Sequence, residues 1–242
     1  MTGRNRNWIS AVVRRLLGAS SAASDASAGQ PPIELPEAFQ ELPLSGETLF
    51  KLIRDFEFRS VLDVGSGAGL HKGILESYGK DVTAVDLGRS VHFTNPEDAA
   101  DYGRVHGDFM TYSFERKFDC VWASHVLEHQ PNSGLFIDRC LELLEDDGVL
   151  AITVPPLKHE IVGGHLTLWN AGLLLYQLVF AGLDCSDAAV RSYGYNVSVI
   201  VRNRRRPDIE LSYGGGDIDT LGPFLPSVCH EGFDGRIERW NW

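Results

Sequence analysis

The sequence predicts a doubly wound α/β fold: a mostly parallel seven-stranded sheet with one reversed strand and helices on both faces. Three observations carry this reading. Continuous apolar runs alternate with helical segments across residues 44–206, as expected of a parallel sheet buried on both faces. The first of these runs ends in glycines at 65, 67 and 69. The last two are joined by only a few residues around Gly194, a link too short for a crossover helix, so one strand must run backwards.

Each element has its own signal. Gly46–Phe56 reads as a helix with Leu49, Leu52, Ile53 and Phe56 on one side. Ser60–Val64 is strand one. Leu70–Tyr78 is the helix after it, stopped by Gly79. Val82–Leu87, a shorter Arg104–Phe109 and Phe118–Ser124 follow as strands two to four. Leu135–Leu144 is a helix and Gly148–Val154 strand five. Asn170–Ala181 is an apolar helix, and Ala188–Ser192 and Val197–Val201 are the final strands.

The flanks differ in composition. Residues 1–17 pair Arg4, Arg6, Arg14 and Arg15 with Trp8, Ile9, Val12, Val13, Leu16 and Leu17 at helical spacing. Such a basic amphipathic segment is able to lie on an anionic membrane surface; a docking helix or frayed tail is the plainer reading. Residues 18–43 open on small polar residues and a Pro pair and read as a linker. Residues 207–242 are rich in Gly and Pro and carry Tyr213, Phe224, Phe233, Trp240 and Trp242, so they are expected to pack on the domain as an extension. No run reaches the roughly 18 uninterrupted apolar residues of a membrane-spanning helix.

Composition narrows the partners. With 33 Asp and Glu against 22 Lys and Arg, the net charge is −11, which argues against a nucleic-acid partner. The 4 cysteines include no CxxC pair, so a zinc ribbon is absent from the pattern, and a reducing, cytoplasmic setting is expected. The basic segment at 4–17 adds contact with the inner face of a membrane to that expectation.

The chemistry begins at the end of strand one, in Asp63-Val64-Gly65-Ser66-Gly67-Ala68-Gly69. Glycines let the backbone turn sharply and approach a ligand, with a helix N-terminus just beyond. The spacing is G-x-G-x-G, because position 70 is Leu, and Asp63 stands where a dinucleotide fingerprint keeps an apolar residue. A carboxylate there suits a cationic ligand better than a pyrophosphate. Asp86 ends strand two, where a carboxylate can accept hydrogen bonds from two ribose hydroxyls.

This motif resembles the first motif of class I, Rossmann-like, S-adenosylmethionine-dependent methyltransferases, and the resemblance continues over about residues 58–203. It implies S-adenosyl-L-methionine as cofactor, held by Asp63, Gly65, Ser66, Gly67, Gly69, Asp86 and Leu87. It further implies Asp108 near the adenine, with Phe109 or Met110 covering the ring. Ser124-His125-Val126-Leu127-Glu128-His129 resembles the HxLEH signature of a small-molecule subgroup, with Ser124 and His125 beside the methionine part of the cofactor. His129, His165 and His159 are rival general bases for an acceptor hydroxyl. Two histidines and a Glu within a short segment are also metal-ligand types, but the reading takes no metal. Trp169 and Tyr176 read as an acceptor wall or as core. Arg202, Arg204, Arg205 and Arg206 read as a solvated strand end or as a phosphate clamp.

The expected activity is O-methylation of a small molecule or saccharide, such as a surface-glycan precursor. Two rivals stand beside it: a nicotinamide-dependent oxidoreductase or epimerase of similar fold, and a non-catalytic cofactor-binding relative.

Overall fold

A computed structural model describes residues 34–88 and 104–242; the basic segment at 4–17 and most of the 18–43 stretch fall outside them. Eight strands form one sheet: β1 (Ser60–Val64), β2 (Asp81–Asp86), β3 (Arg104–His106), β4 (Phe118–Ser124), β5 (Leu144–Val154), β6 (Ala189–Tyr193), β7 (Asn196–Arg202) and β8 (Arg239–Trp240). Their order is β3-β2-β1-β4-β5-β7-β6-β8. The first five are parallel neighbours, while β7 is antiparallel to both β5 and β6. The seven expected strands are present, and the extension adds the eighth, two residues long, against β6. β3 stops at His106 rather than reaching Phe109.

Helices α1 (Glu37–Gln40), α2 (Gly46–Asp55), α3 (Leu70–Ser77), α4 (Ser133–Glu142), α5 (Ala171–Phe180) and α6 (Asp217–Leu221) complete the described part. Two apolar layers cover the two faces of the sheet. One gathers Phe39, Leu49, Leu52, Val61, Leu75, Cys120, Trp122 and Ile200. The other, larger layer joins Leu62, Val121, Phe136, Leu150, Leu174, Leu178 and Val199. Alternate residues of β1 and β4 thus point to opposite layers, which is why both strands read as continuous apolar runs. All 4 cysteines are free and buried.

Two local devices fix how the elements meet. The indole N–H of Trp122 donates to His71 Nδ1 at 3.2 Å, and His71 Nε2 donates to the Leu44 carbonyl at 3.2 Å. This relay ties β4, α3 and the entry to α2 together. Burial also holds the His71 imidazole down to about 4, so it stays neutral. The second device corrects the linker reading: residues 34–43 include a helix, and Phe39, 1% exposed, packs edge-on against Phe50.

The extension packs on α5 and the sheet edge. Asn170 caps α5 by accepting from the Leu173 N–H at 2.8 Å, and the Gly172 N–H donates to the Gly235 carbonyl at 2.9 Å. Gly235 has φ +80°, and a Cβ there would lie 2.2 Å from Asn170 Oδ1. Gly235→Ala is therefore expected to cost about 1–3 kcal/mol through backbone strain and loss of the cap. Chemical denaturation of the variant against the parent measures this.

Candidate functional site

The sheet order reverses between β1 and β4, whose register pairs Asp63 with Trp122 and Val64 with Ala123. At such a switch point the two following loops diverge to opposite faces and leave a crevice beyond the strand ends. Into it come the glycine loop after β1 and the histidine segment after β4. They meet closely: Gly65 has φ +71°, and a Cβ on it would stand 2.4 Å from Val126 Cγ2. The Gly65 and Ser66 N–H groups both donate to the Val85 carbonyl, at 2.8 and 3.3 Å. Gly67, also at positive φ, has nothing within 4 Å of a would-be Cβ, so the loop carries no side chain into the open space beside it. Gly69 then leads into α3.

Two buried carboxylates flank this loop. Asp63 is 1% exposed, and its Oδ2 has no hydrogen-bond partner. Burial, and then the charge of Asp86, push its carboxyl up to about 7, with Lys72 opposing. The Ser66 hydroxyl is likewise buried and unpartnered. Asp86 accepts from the Gly67 N–H at 2.9 Å through Oδ2 and from the Gly88 N–H at 2.7 Å through Oδ1. It thereby fastens the end of β2 to the glycine loop while each oxygen keeps a second lone pair. Leu87, 56% exposed, stands beside it.

The third strand end departs from the sequence reading. Asp108 is exposed and makes a turn, accepting from the Met110 N–H at 2.9 Å. Phe109 is 7% exposed and lies against Phe114 and Phe136, with ring centroids 6.3 and 5.2 Å away. Because β3 ends early, the turn swings Phe109 into the core, where its ring packs on Phe114 and Phe136.

After β4 the chain makes a left-handed step at His125 (φ +56°) and a short 3₁₀ turn over Leu127–His129. Ser124 Oγ lies 2.7 Å from Ser45 Oγ. His125 Nε2 is 3.0 Å from Asn196 Oδ1, and its Nδ1 is 3.3 Å from Glu128 Oε1. The His125 ring stacks on Tyr195 at 6.0 Å, and Lys158 Nζ sits 4.5 Å from the centroid of that tyrosine ring. Glu128 is 1% exposed with both oxygens unpartnered. His129 Nδ1 is 2.7 Å from the Gly164 carbonyl, and the His129 and His165 rings meet at 5.1 Å. Burial also lowers the His165 imidazole from its ordinary value.

The structure thus brings His125, Glu128, His129 and His165 together but leaves out His159. That residue is exposed and does not line the small cavity bordered by its neighbours Lys158 and Glu160 with His165, Trp169 and Tyr195. Trp169 contributes to this wall while donating to Thr167 Oγ1 at 2.8 Å; Tyr176 packs against the core. The arginine run belongs to the opposite end of the sheet, because β7 runs antiparallel to β5 and Arg202 pairs with Val149. Arg204 bonds Asp147, and Arg205 and Arg206 donate to the Ala181 and Val179 carbonyls. No phosphate clamp forms at the crevice.

Ser45, Tyr195 and Asn196 are site neighbours that the sequence reading missed. For Tyr195 and Asn196 the signal was topological: reversing β7 puts the β6–β7 turn at the carboxyl end of β5, beside the histidine segment; Ser45 reaches the site from the start of α2.

Comparison with known proteins places the chain among relatives. Residues 34–179 match a family model described as a methyltransferase domain. A ubiquinone biosynthesis O-methyltransferase of Psychrobacter arcticus is 31% identical over 103 residues, covering 39% of this chain and 40% of that protein. The chain therefore aligns with well under two thirds of the length of such curated relatives. Among solved structures, the Burkholderia thailandensis 1,6-didemethyltoxoflavin-N1-methyltransferase with bound 1,6-didemethyltoxoflavin and S-adenosylhomocysteine has a TM-score of 0.51 and 22% identity. It covers 71% of this chain and 79% of its own. An amino pentose methyltransferase from Micromonospora echinaspora with bound S-adenosylmethionine has a TM-score of 0.52 and 12% identity, covering 70% and 92%. At these identities the two structures speak for the fold.

The Asp63 carboxyl generates a prediction about the ligand-free protein. Its folded pKa is raised, so the folded state holds the proton more tightly than the unfolded chain. Its contribution to stability is then full below the ordinary value near 3.8 and is lost as pH rises to about 7. Relative to Asp63→Asn, the parent should lose up to about 4 kcal/mol across that window. Paired denaturation curves at pH 4.5 and 8 read the difference; parallel stability in both proteins contradicts it.

Proposed function

The chain belongs to the class I methyltransferase-domain family, and from that premise we propose that it methylates a hydroxyl of a small-molecule acceptor using S-adenosylmethionine. One observation carries the cofactor assignment: a bare glycine loop flanked by two buried carboxylates, one of which has an orphaned oxygen. Asp63 Oδ2 lacks a partner that a cationic amino group supplies. Asp86 keeps lone pairs for ribose hydroxyls, and a Cβ at Gly65 would collide with Val126. The Ser66 hydroxyl, also orphaned, faces the same need. These residues fit the cofactor. S-adenosylmethionine, when bound, supplies a methyl group already activated by the sulfonium.

What remains for the protein is positioning, exclusion of water and management of one proton. Gly65, Ser66, Gly67, Gly69, Asp63, Asp86 and Leu87 hold the cofactor; Asp108 borders it from the neighbouring strand end. Ser124 and His125 border the methionine part of the cofactor, and Glu128 and His129 face the acceptor. We assign the proton of the acceptor hydroxyl to the cluster around Glu128, with His129 and His165 first. His159 stands outside that cluster. An oxygen nucleophile is favoured because a hydroxyl needs such assistance, and because the curated relatives are named as O-methyltransferases. A saccharide hydroxyl is the finer reading. Tyr195 and Trp169 offer apolar faces beside Lys158 and the imidazoles, and one neighbour of like fold is named for an amino pentose.

Titration calorimetry should show S-adenosylmethionine and S-adenosylhomocysteine binding, and no binding of NAD. Asp86→Ala should weaken both ligands about 10–100-fold, the value of one or two hydrogen bonds to a charged acceptor. Affinity should rise as pH increases through about 7, where Asp63 ionises, and Asp63→Asn should be weak and flat over that range. Labelled methyl transfer to phenols, sugar hydroxyls and amines identifies the acceptor class. Absence of binding to either sulfur ligand overturns the reading.

A further inference from the structure

We propose that Glu128, His129 and His165 form a site for a divalent transition-metal ion. One candidate donor atom from each lies within 4.8 Å of the others, and among the described residues no other such cluster of His, Cys, Asp and Glu converges. The case rests on which atoms can donate. Asn196 is pinned at both ends by the backbone: its Oδ1 accepts from the Ser45 N–H and its Nδ2 donates to the Tyr193 carbonyl. The same Oδ1 faces His125 Nε2 at 3.0 Å, so Nε2 carries the hydrogen. His129 Nδ1 faces the Gly164 carbonyl at 2.7 Å and must likewise be the protonated nitrogen.

With those nitrogens turned to acceptors, the other nitrogen of each ring, Nδ1 of His125 and Nε2 of His129, points at one carboxylate. His125 Nδ1 is 3.3 Å and His129 Nε2 3.7 Å from Glu128 Oε1. Glu128 is 1% exposed, and among the described residues neither of its oxygens has a hydrogen-bond partner. Acceptor facing acceptor in a buried place is unfavourable unless a positive centre sits between them. The carbonyl on His129 Nδ1 also does what outer partners do for metal-bound histidines, fixing tautomer and ring direction.

Two imidazoles and one carboxylate suit Zn²⁺, Mn²⁺ or Fe²⁺ rather than Mg²⁺, which prefers oxygen donors. Donor atoms on one such ion stand about 3.0–3.4 Å apart, given bond lengths near 2.1 Å. Closing the His129–Glu128 pair from 3.7 Å requires a small swing of His129, whose side chain is 44% exposed, and the three donors, which lie within 4.8 Å of one another, close to that spacing only if His165 also moves inward. Three protein ligands leave positions open, and the ligand class they would take is the oxygen of an acceptor hydroxyl; an ion held there occupies the lone pairs that His129 and His165 would otherwise offer as bases, and would itself ease loss of the hydroxyl proton. That last point rests on the methyltransferase reading; the ion site itself does not.

The test uses the full chain stripped with chelator and dialysed. Zinc chloride and manganese chloride are titrated separately in a calorimeter, with magnesium chloride as comparison. We expect one equivalent of Zn²⁺ bound, with micromolar or tighter affinity and a raised melting temperature, and Mg²⁺ at least 100-fold weaker. His129→Ala and His165→Ala, on the accessible rim, should each weaken Zn²⁺ at least 30-fold. Cobalt substitution should give visible bands of a nitrogen and oxygen donor set that both variants lose. Glu128→Gln tests the buried ligand, and the two histidine variants decide the matter if it does not fold. No stoichiometric Zn²⁺ binding, or binding unchanged in both histidine variants, overturns the site and leaves a shared proton as the positive centre. S-adenosylhomocysteine titrated into the same samples keeps the two readings apart. Its binding without Zn²⁺ refutes the metal site alone, and Zn²⁺ binding without it refutes the methyltransferase reading alone.

Discussion

The turn that follows β1 exists only because position 65 carries no side chain. Its positive φ excludes most residues, and the 2.4 Å separation between a would-be Cβ and Val126 excludes the rest. That close approach lets the loops after β1 and β4 share one wall at the switch point. The cofactor side and the acceptor side of the crevice are therefore not independent. The glycine loop is set by Val85 and Asp86 behind it, and by Val126 in front. Val126 in turn is carried on the left-handed step at His125. A displacement of either loop has to be absorbed by the other, since both leave β1 and β4, whose residues are mostly buried.

Beneath the histidines, a buried polar network does the work that apolar packing does elsewhere. Thr48 Oγ1 lies 2.6 Å from the Tyr193 hydroxyl and 2.7 Å from Ser198 Oγ, which is 2.9 Å from Thr153 Oγ1. Ser45 joins Ser124 and Asn196 to the same region. These groups satisfy one another almost completely, and a satisfied network inside a protein is stiff and directional. It holds Asn196 in one orientation, Asn196 orients His125, and His125 faces Glu128. Against that background, the unpartnered oxygens of Glu128 and Asp63 stand out as places where the protein leaves a requirement for a ligand to meet.

Much of this was legible in the residues. The strands from Ser60 to Ser124 declare themselves because a parallel sheet demands uninterrupted apolar runs, and the glycine spacing with Asp63 marks the crevice. What escaped follows from tertiary context. Phe109 was read as a ligand wall because it follows a carboxylate at a strand end; β3 stopping at His106 turned it into the core. His159 and His165 are indistinguishable as loop histidines, and only the fold of the loop over His129 separates them. Asn196 and Tyr195 gave no local signal, since their relevance depends on which way β7 runs. The helix at Glu37–Gln40 lay in a stretch judged by the polar composition preceding it, while the single residue Phe39 decided its packing.

The two-residue β8 has a consequence for how the molecule behaves among its own kind. An open sheet is a template along both margins, where unpaired backbone groups invite another chain. Among the described residues the margins are β3, three residues long, and β8, two residues long. Strands that short offer too few hydrogen bonds in a row to nucleate pairing between copies. By laying Arg239 and Trp240 along β6, the extension replaces a longer margin with a brief and partly charged one. The extension, which lies outside the crevice, thus covers the β6 edge and leaves a shorter described margin for another chain to pair with.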